Sequence, residues 1–126
     1  MKSTEVVREF LRAWESPGEW RNALRRYLTE DCAYELVGFA KRVGPEQLVS
    51  FVDAFNETSP FHYMSVVILN IAECANIVMT ERVDHFHDAS GAVFSSLPTM
   101  GIFEVTNSKI NAWRDYCDLS PFNKQD

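Results

Sequence analysis

Apolar residues recur at helical spacing over the first sixty positions and at strand spacing after them. Val7, Phe10, Leu11 and Trp14 fall three and four apart, the stripe of an amphipathic helix. Ser3 and Thr4 stand where such a helix is capped. Pro17-Gly18 ends it, and Trp20, Ala23, Leu24 and Tyr27 form a second, shorter stripe. Asp31 to Val37 alternates, with Cys32, Tyr34 and Leu36 on one face, and predicts a short strand. Gly44-Pro45 opens a third helix, because proline suits the first helical position. Leu48, Phe51, Val52 and Phe55 form its buried stripe.

After Pro60 the pattern changes to long strands: His62 to Glu73, Asn76 to His87, Val93 to Thr106 and Lys109 to Asp118. Asp88-Ala89-Ser90-Gly91 and Asn107-Ser108 have clear turn chemistry; Cys74-Ala75 does not. Such short connections favour an antiparallel meander. The expected fold is α+β, with three helices from the N-terminal half on one face of a curved, mostly antiparallel sheet, over one domain spanning residues 1–126. Several strands are apolar on both faces. SVVILNI is the clearest, and Ile77, Met79 and Val83 oppose Val78 and Phe86. A one-sided antiparallel sheet would alternate cleanly, so the outer face needs a cover, and a second copy of the chain is expected to supply it. In SPFNKQD at the C-terminus, fraying is expected, with Phe122 turned back onto the core.

Composition narrows the function classes. The net charge of -6 opposes binding to nucleic acid, which needs a basic face, and to anionic membranes. MKSTEVVREF has no apolar signal segment, and no apolar run approaches a membrane span. Cys32, Cys74 and Cys117 are odd in number and widely spaced. That pattern speaks against disulfide or zinc frameworks, fits a reducing cytoplasm, and makes each a small buried apolar group.

Against this background some polar residues are out of place. On a strand, residues two apart share a face. Arg82 and Asp84 therefore point the same way as Val78, Thr80 and Phe86; Asn111, Trp113, Asp115 and Cys117 share a face, with Ile110, Ala112, Arg114 and Tyr116 on the other. If both mixed faces line the concave side, one guanidinium meets two carboxylates. Buried charges demand partners, and the planar arginine fork can hold an acid on each side. An Asp84–Arg82–Asp115 bridge with both acids ionised has net charge -1, so an apolar surround can keep one carboxyl protonated. Acid and base side by side are the apparatus of general acid–base catalysis. Taken by itself, the cluster fits a buried ion pair that merely fixes strand register equally well.

Two stretches, ERVD (Glu81 to Asp84) and GIFEVTNSKINAWRDYCD (Gly101 to Asp118), resemble strands of the limonene-1,2-epoxide hydrolases. The resemblance implies a cone-shaped pocket between helices and curved sheet, of the nuclear-transport-factor-2-like kind. It also implies one-step hydrolysis of a small, mainly apolar epoxide with no metal or cofactor. Asp115 matches the general base that deprotonates water, Asp84 the acid that protonates the opening oxygen, and Arg82 the arginine that holds both. The family also holds its water with a Tyr-x-Asn pair. In CAYELVG, Tyr34 matches the tyrosine, but Leu36 stands at the asparagine. Three readings follow: another polar group replaces it, with Asn70 as the candidate; the enzyme is slow or acts on another substrate; or the pocket binds an apolar ligand without reacting. An isomerase or cyclase related to ketosteroid isomerase uses a similar acid–base pair, with a poorer motif match. Leu36, Trp113, Cys117, Phe122 and Met100 are the expected substrate-pocket residues.

The remaining polar residues read more simply. His85-x-His87 faces away from Asp84, and two ligands do not make a closed metal site. His62 is a strand-end residue. Arg21, Arg25 and Arg26 form a solvated face. Met64 and Met79, like Met100, read as core or adaptable pocket lining.

Overall fold

In the computed structural model, residues 1–122 are described; the expected fraying of Asn123 to Asp126 lies outside them. The first stripe becomes α1 (Ser3–Ala13), burying Val6, Val7, Phe10 and Leu11. Neither Ser3 nor Thr4 caps it. Lys2 occupies the cap position without a side-chain bond, and the Thr4 amide donates to Glu73 Oε1 at 3.0 Å. A distant carboxylate thus satisfies an orphan amide at the positive helix end. The second stripe is α2 (Glu19–Tyr27) and the third is α3 (Gly44–Thr58). Gly44 has φ +80°, and a Cβ there would run into the Glu30 carbonyl, so the residue opening α3 must be glycine. The basic face of α2 is not merely solvated. Arg25 binds Glu46 at 2.9 and 3.0 Å and Arg21 pairs with Asp53, tying α2 to α3.

The strands are β1 (Leu28–Leu36), β2 (Ala40–Val43), β3 (Tyr63–Cys74), β4 (Ile77–His87), β5 (Val93–Thr106) and β6 (Lys109–Cys117), followed by a 3₁₀ turn at Ser120–Phe122. They form one curved, unclosed sheet in the order β2-β1-β6-β5-β4-β3. β1 runs parallel to β6; the other pairs are antiparallel. Strand periodicity misses β2, which is four residues long with little apolar content; its pairing with β1 specifies it. The expected meander is β3 to β6. Asn107 and Ser108, at φ 52° and 62°, make the tight hairpin turn their residue types suit, whereas Ala75 takes φ 54° against alanine's preference.

Register shifts occur in four of the strand pairs, and two of them decide which side chains face inward near the site. Between β3 and β4 the register skips Leu69, and between β5 and β6 it skips Asn111. An extra residue reverses which side chains face inward beyond it. Ile110, expected on the outer face, is therefore fully buried, and the half-buried Asn111 accepts a bond from Thr106 Oγ1 at 3.1 Å. Asn70, proposed as a pocket residue, lies on the outer face, where it donates to Glu81 at 2.7 Å.

The helices cover the inner face. Phe10 of α1 meets Trp113 edge-on, with centroids 5.2 Å apart. On the outer face Val67, Leu69, Met79, Met100 and Tyr116 are 43% to 55% exposed. Met100 therefore does not line the pocket. Its inward neighbours are Thr99 and Gly101, because side chains alternate along β5. Met79 is likewise outside, while Met64 is buried. Cys32 is buried, Cys117 half-buried, and Cys74 exposed near the β3 end, contrary to its expected burial. Among the described residues no helix is long and apolar enough to cross a membrane.

Candidate active site

Thr80, Arg82 and Asp84 are successive inward residues of β4, and Trp113 and Asp115 are successive inward residues of β6. β5 lies between them. The guanidinium must therefore cross a strand to reach Asp115, and at the crossing stands Gly101, registered against both Thr80 and Asp115. A Cβ at this position would collide with Arg82 Nη1 and lie 2.9 Å from Asp115 Oδ1. Gly101 is the spacer that admits the arginine. Its role is invisible without the register.

The bridge forms. Arg82 Nε donates to Asp84 Oδ1 at 2.9 Å, and Nη2 to Asp115 Oδ1 at 3.0 Å. Nη1 donates to Thr80 Oγ1 at 3.0 Å, and that hydroxyl donates to the Gly101 carbonyl at 3.3 Å. The second Asp84 oxygen is 3.4 Å from Nη2, at the weak edge of hydrogen bonding, so it is the oxygen free to carry a proton. Trp113, expected only as a wall, also donates from Nε1 to Asp115 Oδ1 at 2.9 Å. Asp115 Oδ2 accepts no hydrogen bond among the described residues and is left for the cavity.

Burial drives the electrostatics. Arg82 is 1%, Asp84 5% and Asp115 6% exposed. Desolvation, reinforced by the Asp115 charge, pushes the Asp84 carboxyl above its ordinary range despite the Arg82 cation. Arg82 is held above its usual value because the two acids outweigh its own desolvation. Burial, then the nearby Asp115 charge, raises the Tyr34 phenol well above 10 and the Cys117 thiol to about 11. Both stay protonated at neutral pH.

These groups line a cavity of about 200 Å³. Tyr34, Leu36, Trp113, Cys117 and Phe122 all line it, as expected. Leu36 is registered beside Asp115, so an apolar side chain stands next to the carboxylate. Phe55, Phe86 and Phe122 close the apolar wall with centroids 5.3 to 5.8 Å apart. This explains why Phe51, Val52 and Phe55 of α3 are only partly buried: they face a cavity rather than filled core. Thr99 and Leu97 also line it, and strand periodicity alone did not single them out. His85 and His87 lie outside, bonded to Ser96 and Ser65 at 2.7 Å. Among the described residues no group of three His, Cys, Asp or Glu side chains is placed to hold a metal ion.

Residues 1–125 match the family model described as the limonene-1,2-epoxide hydrolase catalytic domain. Among solved structures, the chain is similar to an LEH-like epoxide hydrolase of M. tuberculosis, at 25% identity and TM-score 0.74, over 94% of this chain and 80% of that one. It shares its fold with a putative SnoaL-like polyketide cyclase from Jannaschia sp. CCS1, at 18% identity and TM-score 0.77, over 96% and 88% of the two chains. A hypothetical protein with a ketosteroid isomerase-like fold from Catenulispora acidiphila, solved with trimethylamine, shares it too, at 21% identity and TM-score 0.76, over 95% and 90%.

Proposed function

The chain belongs to the limonene-1,2-epoxide hydrolase family, and from that premise we propose that it adds water to a small, mainly apolar epoxide in one step. The observation that carries this reading is the buried Asp84–Arg82–Asp115 bridge in the wall of a mainly apolar cavity. Asp115 takes a proton from water through its free oxygen while that water attacks an epoxide carbon. Asp84, whose proton affinity is raised by burial, gives a proton to the leaving ring oxygen. Arg82 fixes both carboxyls, and Tyr34 presents its phenol beside the base. The strained ring supplies driving force, so the protein has to position groups and move protons.

Leu36 beside Asp115 favours one second reading, a pocket that binds an apolar ligand without turnover. The deciding measurement is diol formation from a panel of terpene, styrene and steroid epoxides in water labelled with heavy oxygen. The hydrolase reading expects singly labelled diol, abolished by Asp115→Asn in a protein that still melts cooperatively. Binding of apolar ligands with no diol from any epoxide selects the second reading. A steroid or polyketide isomerised or cyclised instead would move the site to the chemistry of the cyclase-like neighbours.

A two-fold contact in which the same face of two copies meets would cover the exposed apolar row of the outer face, Val67, Leu69, Met79, Met100 and Tyr116. The row supports a homodimer packed through that face. Sedimentation at about micromolar concentration tests the dimer, and a monomer there refutes it.

A further inference from the structure

We propose that the Thr99 hydroxyl holds the attacking water, an inference that rests on the hydrolase reading above. A water that gives one proton to Asp115, with a lone pair aimed at the epoxide carbon, has a second hydrogen to place, and an ordered water needs two to four polar partners. The cavity wall offers few acceptors. Arginine and tryptophan side chains only donate. The Asp84 proton is directed at the ring oxygen. Leu36, registered beside Asp115, has no polar atom, and the Cys117 thiol is a weak acceptor. The Tyr34 and Thr99 hydroxyls remain.

Thr99 is 4% exposed and lines the cavity. Its own proton is committed, because Oγ1 donates to the Leu97 carbonyl at 3.1 Å. Its lone pairs are therefore what it has to offer. It is registered against Arg82 on one side and Cys117 on the other, one inward position along β5 from the Gly101–Asp115 pair. Diagonal neighbours on one face lie about 7–8 Å apart at the backbone, a span that a single water between two side-chain oxygens closes. Tyr34, registered against Trp113 on the opposite flank of Asp115, is placed to donate its phenol proton to the same water. In the reaction the water oxygen bonds to carbon as the ring C–O bond breaks. One water proton passes to Asp115 and the Asp84 proton passes to the ring oxygen. The second water hydrogen stays on the new hydroxyl, bonded to Thr99 Oγ1.

The test is a set of variants assayed for labelled diol. Thr99→Val, nearly isosteric, is expected to lower kcat about 10- to 100-fold with KM within about twofold, in a protein that still melts cooperatively after losing the bond to Leu97. Thr99→Ser keeps most of the rate. Leu36→Asn puts an amide beside Asp115 and should raise turnover about tenfold more in the Thr99→Val background than in wild type. If Thr99→Val does not fold, Thr99→Ala with and without Leu36→Asn is read in the same way. Thr99→Val turnover equal to wild type, or Leu36→Asn acting by the same factor in both backgrounds, overturns the role of Thr99. Absence of diol from wild type with every epoxide would instead overturn the hydrolase reading, so the two failures are distinct.

Discussion

Arg114 and Asp115 are consecutive residues of β6, and each sits in an ion pair. Asp115 faces inward and accepts from Arg82 at 3.0 Å; Arg114 faces outward and donates to Glu104 at 2.8 Å. Length does not separate the two pairs, but surroundings do. The outer pair is 29% and 32% exposed, the inner one 1% and 9%. Two unit charges about 4 Å apart interact by about 1 kcal/mol in water and about 4 kcal/mol at an effective dielectric constant of about 20. The inner charges also lose their hydration, so each must be matched. One strand thus carries the same chemistry twice. Only the sealed copy lines the cavity, where the proposed chemistry needs it.

Removing the centre of the inner cluster should have the largest effect. Arg82→Met leaves two buried carboxylates without a cation. Turnover should vanish, and chemical denaturation should show a loss of about 3–5 kcal/mol. A variant that stays near wild-type stability would show the inner pair to be as solvated as the outer one.

Asp84→Asn separates activity from stability. It removes the acid, at a rate cost of about 100- to 10,000-fold, but mimics the protonated carboxyl. The raised Asp84 pKa fixes the sign. Its contribution to stability is complete at low pH, below the unfolded carboxyl's value, and is lost as pH rises through the folded value. Relative to Asp84→Asn, wild type should therefore lose stability as pH increases, and its kcat should fall on the same limb as the acid ionises. A wild-type kcat that is flat across that limb would remove Asp84 as the proton donor.

Gly101→Ala is a milder version of the Arg82 change. Its methyl group must displace the guanidinium, at about 1–3 kcal/mol, with a drop in kcat larger than any change in KM. Unaltered kinetics would mean that the arginine can reach Asp115 by another path. The smallest effect belongs to the outer pair: Arg114→Ala should leave turnover intact and shift stability by about 1 kcal/mol or less. A larger loss that depends on protein concentration would place Arg114 inside a contact between two copies of the chain.

The course of the chain was largely legible in advance. The helical stripes, the Pro17-Gly18 and Gly44-Pro45 breaks and the four long strands are local signals, and each became the expected element. The failures come from information that is not local. Ser3 and Thr4 looked like caps, but the helix begins one residue earlier, with Lys2 at the cap position, and the Thr4 amide donates to Glu73 of β3. Met100 and Asn70 were expected at the pocket, but alternation along β5 turns the first outward and the bulge at Leu69 the second. Trp113 looked like a wall, and only the fold brings its indole nitrogen to Asp115.

The order of residues alone determined that Arg82 and Asp84 share a face, because pleating gives a strand a period of two whatever surrounds it. It also determined that an acidic, apolar-rich chain would have to match any charge it buried. Only the tertiary structure decided that Asp115 is their partner across an intervening strand, that Gly101 leaves room for the crossing, and that helices exclude water from the result. Those outcomes depend on pairing register and enclosure, and both arise from contacts between segments far apart in the chain.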